Sequence, residues 1–93
     1  KEQLRKMTPV ARRFLGESHD LTFRIRLAYA MALYRDPGAT LDDLREAVTT
    51  LEDTERIARR VLGVAHPLTT TLEEQLRIAR AALAARDPQP IGA

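Results

Sequence analysis

RRVLGVAHPLT, residues 59–69, decides the reading of the fold, because nearly the same string stands earlier as RRFLGESHDLT, residues 12–22. The copies lie 47 positions apart, from 12 to 59, about the length of one helix-pair unit in a helical repeat. Aligning them pairs Ala11 with Ala58, Leu15-Gly16 with Leu62-Gly63, His19 with His66 and Leu21-Thr22 with Leu68-Thr69. Ile25, Tyr29 and Ala32 then fall opposite Leu72, Leu76 and Ala79. The repeated segment therefore spans a helix end, a turn and the next helix. It describes a corner between helices, not a catalytic loop.

Outward from that corner the apolar spacing is helical. Leu44, Ala47, Val48, Leu51, Ala58, Val61 and Leu62 fall mostly three and four apart, which predicts an amphipathic helix over 41–62. Thr40 and Asp43 make a capping signal at its start, Gly63 a stop at its end, and Glu52/Arg56 and Glu55/Arg59 favourable i, i+4 pairs. A helix over 21–35 carries Leu21, Ile25, Ala28, Tyr29, Ala32 and Leu33 on one side and closes at Asp36-Pro37. Another runs over 70–86, with Thr70 and Glu73 at capping spacing and Asp87-Pro88 as the stop. At the beginning, Leu4, Met7, Ala11, Phe14 and Leu15 keep a helical stripe about residues 1–15 across Pro9. Either that helix kinks at Pro9 or a helix begins there. The expectation is an all-α chain of four helices in two antiparallel pairs. Residues 1–87 make a single domain and 88–93 a flexible tail.

Composition narrows the function. With 93 residues the chain buries only about 60–70% of the surface it exposes when unfolded. Fifteen basic and 13 acidic side chains leave a net charge of +2, with the signs interspersed, so no polyanionic partner is required. The absence of cysteine excludes disulfides, thiolate metal sites and a thiol nucleophile. The longest apolar run, LAYAMALY at 27–34, is far below the roughly 18 residues of a membrane span. No signal-peptide pattern opens the chain, and the cytoplasm is the default expectation. Because the first residue is Lys, the sequence reads as a processed or partial chain.

The motifs LG at 62–63, HP-x-T at 66–69 and Glu46-Ala47 upstream resemble the tetratricopeptide repeats of kinesin light chain and related repeat proteins. That resemblance implies a short right-handed αα superhelix and a non-enzymatic scaffold or adaptor, part of a longer array or larger complex. It also implies a concave face bearing Arg24, Leu27, Met31, Tyr34 and Arg35, followed by Thr71, Glu74, Ile78 and Ala81. Those residues would form an apolar groove with an arginine at each end, or else be covered as core. The chain departs from the family in two ways. Its spacing of 47 exceeds the family's repeat, and it contains no asparagine, so Leu27, Ala28, Glu74 and Gln75 stand where the family holds a peptide backbone with Asn.

Other candidates read more simply. His19 and His66 each sit at the corner of a repeat and serve a helix start, since a zinc site takes three or four ligands. Arg12, Arg13, Arg59 and Arg60 form the alternative site, docking on nucleic acid or an anionic membrane; the competing role is to complement helix C-termini. Ser18 lacks a His/Asp relay, and Asp42-Asp43 is explained by capping. The expected partner is a helix or extended segment of another protein, with no cofactor, metal, small-molecule substrate or catalytic residue.

Overall fold

In the computed structural model, Arg5, Lys6 and Asp20–Arg86 are described. Asp20–Arg35 form α1, Leu41–Val61 form α2 and Pro67–Arg86 form α3. The local chemistry explains the boundaries of α2, the start of α3 and the turn after α1. At the start of α2, Thr40 is extended (φ −85°, ψ 168°) and its hydroxyl accepts the Asp43 N–H at 3.1 Å. Asp43 Oδ2 accepts the Thr40 N–H, also at 3.1 Å, which completes the capping box. At the other end Leu62 N–H donates to Ala58 O at 2.7 Å and Gly63 N–H to Arg59 O at 3.2 Å. Gly63 adopts φ +96°, the left-handed conformation that ends helices on glycine.

The start of α3 corrects the expectation at Thr70. His66 Nδ1 accepts the Leu68 N–H at 3.0 Å and Pro67 takes the first helical position, where its missing N–H costs nothing. Thr70 N–H already donates to His66 O at 3.0 Å. The Thr70 and Thr71 hydroxyls donate back to the carbonyls of His66 and Pro67, so neither serves as a cap. Between α1 and α2, Asp36 shapes the turn by accepting the Gly38 N–H on Oδ1 and the Ala39 N–H on its carbonyl, both at 2.9 Å.

Short loops make consecutive helices antiparallel, and α2 packs along both neighbours while α1 and α3 barely touch. Phe23, Ala30 and Leu33 of α1, Ala47, Leu51 and Ala58 of α2, and Leu72 and Ala79 of α3 are fully enclosed in one core. Each large side chain buried there contributes about 1.5–3 kcal/mol. Thr54 is buried as well, its hydroxyl satisfied by Thr50 O at 2.6 Å.

The four-helix, two-pair superhelix is thereby corrected: among the described residues there are three helices, and they form a bundle, not a tetratricopeptide array. The reason lies in where the repeated residues point. Of the matched pairs, Tyr29 and Leu76 both join the core around α2; Leu72 joins it while its match Ile25 is buried outside that cluster, and Thr22 and Thr69 are both buried. Among the described residues, the two matched segments contribute α1 and α3, which share the central α2 as partner. The kink or start at Pro9 lies outside the described residues, as does the tail 88–93; Arg5 and Lys6 are helical.

Candidate functional site

Because α1 and α3 separate along most of their length, a groove of about 440 Å³ opens between their N-terminal halves. Asp20, Arg24 and Leu27 line it from α1, and His66, Pro67, Leu68 and Thr71 from the start of α3. Arg24 is exposed and pairs with Asp20 at 3.7 Å. Further along α1, Leu27 and Tyr34 pack partly against the core and Met31 is half-buried. The Tyr34 hydroxyl donates to Gln75 Oε1, tying the far end of α1 to α3. The Arg35 guanidinium lies over the Tyr34 ring, 5.9 Å from its centroid. On α3, Glu74 pairs with Arg77, and Ile78 is 40% exposed one turn beyond.

The structure thus brings Arg24, Leu27 and Thr71 to one groove and joins Tyr34 to the helix that carries Glu74 and Ile78. His66 and Pro67 are groove-wall residues that the sequence reading confined to the turn. Their signal was the HP dipeptide at a helix start, which places an imidazole at the mouth of whatever lies beside that helix.

Of the alternative arginine site, Arg59 lies among carboxylates. Arg59 Nε lies 3.1 Å from Glu55 Oε2, and the surrounding cleft between α2 and α3 also contains Glu52, Asp53, Arg56 and Arg80. Arg56 pairs with Asp53 and not with the expected Glu52, which instead reaches Arg80 of α3 at 2.8 Å. Arg60 is exposed; Arg12, Arg13 and His19 lie outside the described residues. Such exposed pairs contribute about 0–1 kcal/mol each, and they leave no concentrated positive field in the cleft.

A second polar cluster escaped the sequence reading. Tyr29, 5% exposed, donates its hydroxyl to Glu46 Oε2 across the α1–α2 seam. Arg5 Nε donates to the same hydroxyl at 3.1 Å. Burial first, then the hydrogen bond to Glu46, raises the Tyr29 pKa, against the opposing pull of Arg5. Among the described residues no group of three or more His, Asp or Glu is arranged to hold a metal. None of their helices is long and apolar enough to cross a membrane.

Comparison with protein-family models, with curated proteins and with solved structures finds no match for this chain.

Proposed function

We propose that the bundle is a protein-binding module whose α1/α3 groove receives an apolar segment of another polypeptide. The observation that carries this reading is the groove itself: two outer helices held apart on a common third helix, with apolar side chains between them and solvent above. Leu27 and Leu68 form its floor, and Met31 and Ile78 extend the apolar surface toward the far end of α1. Arg24 and Arg35 stand at the two ends of the α1 stripe, so a segment with acidic residues flanking an apolar centre matches the surface. Covering apolar area yields about 25 cal/mol per Å², and the half-buried side chains lose little further freedom on binding.

A photo-crosslinking residue at Ile78, compared with one at exposed Arg45, tests the reading in the producing cell. Adducts with a defined second polypeptide are expected from position 78, suppressed by Met31→Glu, and absent from position 45. Equal crosslinking from both positions, or persistence with Met31→Glu in a folded chain, would overturn it.

A further inference from the structure

We propose that the α1–α2 seam at Tyr29 and Glu46 is an arginine-recognition site, filled here by the chain's own Arg5 and open in trans to an arginine side chain of another polypeptide. Three contacts converge on one guanidinium. Arg5 Nε donates to the Tyr29 hydroxyl at 3.1 Å, Nη2 lies 3.4 Å from Glu46 Oε1, and Cζ sits 5.8 Å from the Tyr29 ring centroid. A planar fork, a carboxylate and an aromatic face are the features that distinguish guanidinium from ammonium recognition.

The receptor half of this site is held by the bundle. Tyr29 belongs to the core cluster, and its hydroxyl bond to Glu46 fixes the carboxylate across two packed helices. The ligand half comes from a distant part of the chain. Arg5 comes from 24 and 41 positions away in the chain, and 48% of its side chain remains in solvent. Being part of the same chain, Arg5 competes with any guanidinium added in solution. A single free arginine therefore loses to Arg5 in the wild-type chain, and removing Arg5 reveals the site. This seam lies on a different face from the α1/α3 groove, and the inference stands independently of what fills that groove.

The test is an NMR titration of the 93-residue chain carrying Arg5→Ala, following the Tyr29 ring resonances with N-acetyl-arginine amide or N-acetyl-lysine amide as probe. A saturable response to the arginine probe is expected, about fivefold weaker with lysine, lost when Glu46→Gln is added, and absent over the same range in wild type. A folded Arg5→Ala chain with no saturable response, or with equal responses to the two probes, overturns the proposal. Arg5→Lys is the second variant, expected to fold and to bind the arginine probe more weakly than Arg5→Ala does. If both variants fail to fold, Arg5 is a strut of the bundle and the proposal falls.

Discussion

His66 caps α3 through its ring: Nδ1 accepts the backbone N–H of Leu68 at 3.0 Å, with Pro67 set between them. The imidazole thus does the work usually given to Ser, Thr, Asp or Asn. His66→Ala is expected to cost about 1 kcal/mol, and His66→Asn, which supplies an oxygen acceptor, less than half of that. Urea midpoints at constant slope measure both. Equal losses from the two substitutions would show that the ring stabilises by packing instead.

Gly63 offers a cleaner backbone test. A Cβ at this position meets nothing within 4 Å, so the φ of +96° is the sole obstacle to a side chain. Gly63→Ala is expected to destabilise by about 1–2 kcal/mol, and Gly63→Asn by less, since Asn tolerates the left-handed region. Thermal melts of the two variants should rank in that order.

In the core, Leu51 on α2 and Leu72 on α3 are both fully buried. Truncating either to Ala is expected to cost about 2–5 kcal/mol, a large share of the stability of a small domain. Val64, 63% exposed, is the control, and Val64→Ala should stay within about 0.5 kcal/mol of wild type. Equilibrium unfolding distinguishes these cases directly.

Tyr29 predicts a dependence on alkaline pH. Its pKa is raised from 10.0 in the folded chain, chiefly by burial and then by Glu46. The folded state therefore holds the phenolic proton more tightly than the unfolded state does. The corresponding stability is complete below the unfolded pKa and is lost as pH rises through the folded one. Melting temperatures measured from pH 8 upward should fall more steeply above about pH 10 in wild type than in Tyr29→Phe. Parallel curves would place the proton's stabilisation elsewhere.

The parts of the fold legible in the sequence are those set by neighbours along the chain. Thr40 with Asp43, Gly63 and the stripe through Leu44, Leu51 and Ala58 all act over three or four residues, and each behaves as its spacing predicts. Thr70 with Glu73 has the same spacing but loses to His66-Pro67, which already satisfies the helix start; the Thr70 hydroxyl turns back to the His66 carbonyl. Matching the two copies pairs buried Tyr29 with buried Leu76 but also exposed Leu21 with buried Leu68, and it carries no information on whether matched helices stack in series or share one partner. The candidate groove divides in the same manner. Arg24 and Leu27 of its α1 wall are residues that the repeat resemblance implied for a binding face, whereas the bond from Tyr34 to Gln75 depends on how α1 and α3 cross. The Tyr29–Glu46 bond likewise joins residues 17 positions apart on two helices whose relative rotation only packing sets.

That α2 is the shared partner of two outer helices that hardly touch each other also governs how the chain reaches its native state. Both principal interfaces join segments adjacent in sequence, so each requires closure of only a short loop, the topology associated with rapid folding. Neither docking step has to wait for the other. A nick in the loop at Leu62–His66 would release α3 while α1 retained its partner, and a nick at Asp36–Thr40 would release α1 and leave α2 with α3. The bundle is in this sense two overlapping hairpins written on one central helix.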